Sequence, residues 1–134
     1  MKVLRDIWIL DKAGIVVFHR TFEELDAQLF GGLMSALNSF SKNLSEEGLT
    51  SFELSENRFA IHRRNEFLFV GNSANKVKEK RIFEELEVIA DKFFNIYGDI
   101  LKEWQGDINV FSNFEEHIED SLEGTINKFE KAFW

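Results

Sequence analysis

The chain has 134 residues with 24 acidic and 16 basic side chains, a net charge of −8, 15 phenylalanines, no proline and no cysteine. That length suits one domain with a real core, and the missing cysteines exclude a disulfide framework, a thiolate metal site and a cysteine nucleophile, in keeping with a reducing cytoplasm. The acidic balance argues against nucleic acid and against anionic membrane as direct partners.

The first ten residues, MKVLRDIWIL, interleave charges with apolar residues and lack the apolar core of a signal peptide. Nowhere does an apolar run approach the roughly 18 residues needed to span a bilayer. Val3–Leu10 and Ile15–Arg20 are apolar runs separated by DKAG, Asp11–Gly14, which predicts a hairpin because glycine supplies the positive φ of a short loop.

From Leu25 to Leu44 the chain reads LDAQLFGGLMSALNSFSKNL. Leu29, Phe30, Leu33, Met34, Leu37, Phe40 and Leu44 recur at helical spacing and predict one apolar face, with Asp26 as cap. The opposite side is Gln28, Gly31, Gly32, Ser35, Asn38, Ser39 and Lys42, small and nearly neutral in a chain that is 30% charged. Two glycines cost a helix about 2 kcal/mol relative to alanines. That cost points to something approaching this side closely, either a partner or the chain's own terminal residues.

Three strands are predicted next. Thr50–Ser55 and Arg58–Arg63 alternate, whereas Phe67–Val70 is continuously apolar like Ile7–Leu10 and Ile15–Phe18. Alternation suits one solvated face, and continuous runs suit burial on both. From Lys78 to Trp104 the period turns helical, through Ile82, Phe83, Leu86, Ile89, Ala90, Phe93, Phe94, Tyr97, Ile100, Leu101 and Trp104, with Gly98 as a place to end or kink. After a QGDINVF loop, Ser112 or Asn113 caps a last helix with Phe114, Ile118, Leu122, Ile126, Phe129 and Phe133 on one side. The order β-β-α-β-β-β-α-α predicts a single α+β domain over residues 1–134: a five-stranded antiparallel sheet with one helix on one face and two on the other.

With these elements in place, the chain resembles the longin, or SNARE-like, family. IWILDKAGIVVFHR is similar to that family's first hairpin, SFELSENRFAIHRRNEFLFVGNSANKV to its last three strands leading into a helix, and FEELEVIADKFFNIYGDIL to its second helix. The resemblance covers nearly the whole chain and rests on packing patterns rather than catalytic signatures. It implies that the first and fifth strands lie in the middle of the sheet. It also implies protein partners, namely a small GTPase or another longin or roadblock subunit, possibly a second copy. Vesicle trafficking and a stand-alone archaeal-type protein belong to the same implication. No SNARE heptads or anchor follow before Trp134, so membrane fusion by this chain is not expected. The related roadblock fold usually begins with a helix, whereas this chain begins with a hairpin.

Signals for chemistry are weak. His19, His62 and His117 fall in no metal-ligand spacing and read as structural or exposed histidines. The carboxylate pairs Glu84–Glu85 and Glu115–Glu116 point in different directions on a helix and read as solvated faces. Gly71-Asn72-Ser73 stands where phosphate-binding turns occur, but without lysine or further glycines it reads as a turn with a helix cap. Arg63-Arg64 reads as solvated charge at a strand end. The expectation is therefore a non-enzymatic, cytoplasmic adaptor or scaffold subunit with no cofactor and no metal, peripheral to membranes only through a partner. Its contact is expected at Gln28, Gly31, Gly32, Ser35, Asn38, Ser39 and Lys42, with the Thr50–Ser55 edge as a second candidate. The alternative is a small-molecule sensor with an apolar pocket between sheet and helices.

Overall fold

The computed structural model describes residues 3–21, 27–43, 50–54 and 56–122. Five strands, β1 (Asp6–Leu10), β2 (Val16–Arg20), β3 (Ser51–Leu54), β4 (Asn57–Arg64) and β5 (Phe67–Ala74), form one antiparallel sheet in the order β2-β1-β5-β4-β3. Helix α1 (Ala27–Lys42) lies on one face. Helix α2 (Glu79–Leu101) and the one-turn α3 (Glu115–Ile118) cover the other.

The continuous apolar runs have the use their pattern demands. In the central strands β1 and β5, Ile7, Ile9 and Phe69 face α2, while Trp8, Leu10 and Val70 face α1. Each of these six side chains is fully or almost fully buried. The hairpin at Asp11–Gly14 also forms as predicted. The Asp11 carboxylate accepts the amides of Ala13 and Ile15 at 2.9 and 3.0 Å, and Gly14 takes φ +86°.

Two departures have clear physical reasons. Gly71, Asn72 and Ser73 are not a turn; they continue β5, paired on one side with β1 and on the other with β4. Inside the sheet Asn72 Nδ2 donates to Asp6 at 2.7 Å and Ser73 Oγ to the Val3 carbonyl at 2.7 Å, while Asn72 Oδ1 is buried with no partner among the described residues. At Gly71 a Cβ would stand 2.9 Å from a Leu86 methyl and 3.0 Å from a Leu4 methyl, so the packing of α2 and the N-terminal segment leaves little room for a side chain there. Helix α2 also passes through Gly98 without ending and runs to Leu101.

The last segment departs further. Phe114, Ile118 and Leu122 are completely buried, as predicted, but they do not share one long helix. After α3 a 3-10 turn at Glu119–Ser121 intervenes, and Leu122 is extended and bridges Leu4 in parallel. The Ser121 carbonyl accepts the amides of Val3 and Leu4 at 3.2 and 2.9 Å, and its hydroxyl donates to Glu85. Ile126, Phe129 and Phe133 lie outside the described residues.

Ending the chain before Phe114 removes three side chains with no exposed surface. At about 1.5–3 kcal/mol per fully buried large side chain, that loss is comparable with the whole stability of a typical domain. The shortened protein is expected to give no cooperative thermal transition by circular dichroism. A transition close to that of the full chain would show the segment to be peripheral.

Candidate functional site

Helix α1 is rolled by about a quarter turn from the orientation its apolar periodicity predicts. Met34 is buried and Phe30 stacks on Trp8 with ring centroids 4.0 Å apart. Gly31 and Asn38, expected to meet water, are buried as well. Leu29, Leu33 and Leu37, expected inside, are 74%, 55% and 38% exposed.

Hydrogen bonds and a close backbone approach explain the roll. The Gln28 side-chain amide accepts from the Val16 amide and donates to the Val16 carbonyl, both at 3.0 Å. Asn38 Oδ1 accepts from the Arg63 guanidinium, through Nε at 3.1 Å and also through Nη2. A Cβ on Gly31 would lie 2.6 Å from a Val16 methyl and 2.7 Å from the Gly14 carbonyl oxygen, and one on Gly14 would lie 2.7 Å from Ser35 Cβ. Among the described residues, the close neighbour of the small, neutral side is thus the β1–β2 hairpin. Gly32 differs: among the described residues, nothing lies within 4 Å of a Cβ placed there.

Of the seven residues expected to bind a partner, Gln28, Gly31, Ser35 and Asn38 seat the helix on the hairpin and on β4, while Gly32, Ser39 and Lys42 remain at the surface. Ser35, Asn38, Ser39 and Lys42 meet in one cleft of about 270 Å³, together with Lys12 and Arg63. The face turned to solvent is Leu29, Gly32, Leu33, Ala36 and Leu37, apolar and without charge.

A family model, the first longin domain of FUZ, MON1 and HPS1, matches residues 5–118. The chain belongs to this longin family. No curated protein matches it in sequence. Among solved structures, Myxococcus xanthus MglB superposes with a TM-score of 0.54 at 12% identity, over 72% of this chain and 85% of that one. The gliding protein MglB of Thermus thermophilus follows with a TM-score of 0.51 at 10% identity, over 59% and 67%. A roadblock/LC7 domain from Streptomyces avermitilis gives 0.51 at 10% identity, over 69% and 87%. At these identities the likeness is one of fold.

Several titratable groups of this longin domain are engaged in structure. Glu85, expected on a solvated face, is buried; it accepts from Ser121 and pairs with Arg81 at 3.1 Å. Glu115 pairs with buried Arg20 at 3.1 Å, and Arg64 with Asp91. Among the described residues no cluster of three or more His, Asp or Glu could hold a metal, and no helix is long and apolar enough to cross a membrane.

His62 is half-buried, with its ring near Phe69 and Nε2 lacking a hydrogen-bond partner among the described residues. Burial, and then the Arg64 charge, push its pKa below the ordinary 6.5, against an opposite pull from Glu87 and Asp91. The unfolded chain therefore takes up this proton first as pH falls. Stability from this group is full above pH 6.5 and declines as pH drops through 6.5 toward the lowered folded pKa. An NMR titration is expected to place the His62 midpoint below 6.5, and His62→Gln to flatten the acid side of the stability profile. A midpoint at or above 6.5 would contradict the burial effect.

Proposed function

We propose that this longin domain is a non-enzymatic protein-interaction module, an adaptor or scaffold subunit that engages a small GTPase or another longin or roadblock subunit in intracellular trafficking. The observation that carries the reading is the solvent face of α1, where Leu29 and Leu33 are each more than half exposed and the helix carries no charged side chain before Lys42. Exposed leucines in an ordered row are costly to leave in water and mark docking surfaces. Membership of the longin family supports the class of partner. In this reading Gly32, Ser39 and Lys42 belong to the contact, while Gln28, Gly31, Ser35 and Asn38 hold the helix in place behind it. The β3 edge, Ser51–Leu54, is the second contact.

The test places a photo-crosslinking residue at Leu33 in the native host, with a control at exposed Asp120 in the α3 region. Position 33 is expected to capture a defined protein that position 120 does not, and Leu33→Glu, with its melting temperature unchanged, to lose that protein. Capture independent of Leu33 would move the contact elsewhere, first to β3. Turnover of GTP by the purified protein, abolished by one carboxylate substitution, would overturn the non-enzymatic reading.

A further inference from the structure

The β1–β2 and β4–β5 turns lie side by side at one end of the sheet, where Leu10 of β1 pairs with Leu68 of β5. Between them and the end of α2 opens a cavity of about 310 Å³, lined by Phe67, Leu101 and Trp104 together with Asp11, Lys12 and Glu66. We infer that this cavity receives an arginine side chain of a partner protein, its stem along the apolar wall and its guanidinium at the two carboxylates. Leu29, Leu33 and Leu37 are not among the lining residues, so this contact is separate from the face of α1.

The backbone at Glu66 supplies the first reason. Arg64 pairs with Phe67, so Asn65 and Glu66 make up the whole loop, with φ +50° and +69°. Asn-Gly forms such a loop most easily, because glycine adopts positive φ without steric cost. Here a carboxylate stands where glycine fits better. Its ion pair among the described residues is with Lys12 at 3.9 Å, both side chains about three-quarters exposed, a contact that stabilises little. A cationic guest gives that carboxylate a use.

The lining supplies the second reason. The Trp104 indole N–H donates to the Asp107 carbonyl at 2.8 Å, which holds the ring in place. Asp11 is held too, its Oδ1 accepting the Ala13 and Ile15 amides. Aromatic rings beside carboxylates suit the flat, weakly hydrated guanidinium better than the compact ammonium of lysine. The net charge of −8 draws cations to the surface, and a bound guanidinium displaces Lys12 from Glu66. Size limits the guest. At the small end of ligand sites, roughly 300–1,000 Å³, the cavity takes one long side chain rather than a cofactor.

NMR titration of the full chain tests this with an acetylated, amidated Gly-Gly-Arg-Gly-Gly peptide, its neutral citrulline counterpart and free butylguanidinium. The arginine peptide is expected to shift the Trp104 indole and the amides of residues 65–67 saturably. The citrulline peptide should bind about tenfold or more weakly. Glu66→Gln should weaken the arginine peptide by a similar factor with its melting temperature unchanged. Asp120→Asn, which removes an exposed charge elsewhere, should bind like the parent. Glu66→Gly should bind as weakly as Glu66→Gln yet melt no lower than the parent, because glycine relieves the loop. A merely structural Glu66 could not separate binding from melting in this way. Shifts spread over the whole acidic surface, equal binding of the two peptides, or undiminished binding by both Glu66 variants would overturn the inference. Butylguanidinium binding more tightly than the peptide would make the occupant a free small cation and overturn the protein partner.

Discussion

Replacing Phe93 by alanine is expected to cost about 3–5 kcal/mol, a large part of the roughly 5–15 kcal/mol that holds a typical domain together. Phe93 has no exposed surface and stands where α2, the sheet and the segment after α2 converge. Its ring centroid lies 5.7 Å from Phe69 on β5, 5.3 Å from Tyr97, 5.2 Å from Phe111 and 5.4 Å from Phe114. Tilted and edge-on contacts of this kind add to area burial, so truncation loses both and leaves a cavity among rigid rings that collapse poorly. Denaturant unfolding checks it. A loss below about 1.5 kcal/mol, the range of volume-conserving swaps, would show that the cluster repacks freely.

Gly31→Ala and Gly32→Ala are expected to move stability in opposite directions, although the residues are adjacent in one helix. Helix propensity alone favours alanine at both by about 1 kcal/mol. At position 32 that gain should appear in the melting temperature, since open space receives the methyl group. At position 31 the new methyl would meet Val16 at 2.6 Å and the Gly14 carbonyl at 2.7 Å. A backbone oxygen in a tight hairpin cannot swing aside like a side chain. The helix must therefore lift from the sheet, loosening the Gln28 bonds to Val16, at a cost of about 1–3 kcal/mol typical of overpacking. Both variants stabilising, or both destabilising, would contradict the asymmetric seating of α1.

Much of the fold was legible because strand and helix periods dominate this sequence. The doubly apolar runs Ile7–Leu10 and Phe67–Val70 suited burial on both faces and the family resemblance implied that they are central, which they are, whereas the equally apolar Ile15–Phe18 run belongs to the edge strand β2. The orientation of α1 was not legible from period alone. Asn38 is drawn inward by its hydrogen bonds to Arg63, Gln28 reaches from the exposed edge of the helix to the Val16 backbone, and Gly31 is held by a hairpin whose proximity no local pattern encodes. The doubled glycine did signal a close approach, but it conceals two different residues, one buried by the hairpin and one facing water. Glu85 could have been found, since it lies on the same side of α2 as Ile82 and Ile89, where a charged side chain needs a buried partner. The break after Ile118 follows from pairing between Leu122 and Leu4, a contact between the two ends of the described chain that helical spacing cannot reveal.

Thiol labelling of single-cysteine variants asks most directly whether the leucine face of α1 is open to a partner, and a chain without native cysteine gives no background. In dilute protein, Leu33→Cys should react on the order of a hundredfold or more faster than Met34→Cys, whose position opens only with local unfolding. Equal rates, or faster reaction at position 34, would mean that the leucines pack inside after all and that α1 presents its small, neutral side to solvent.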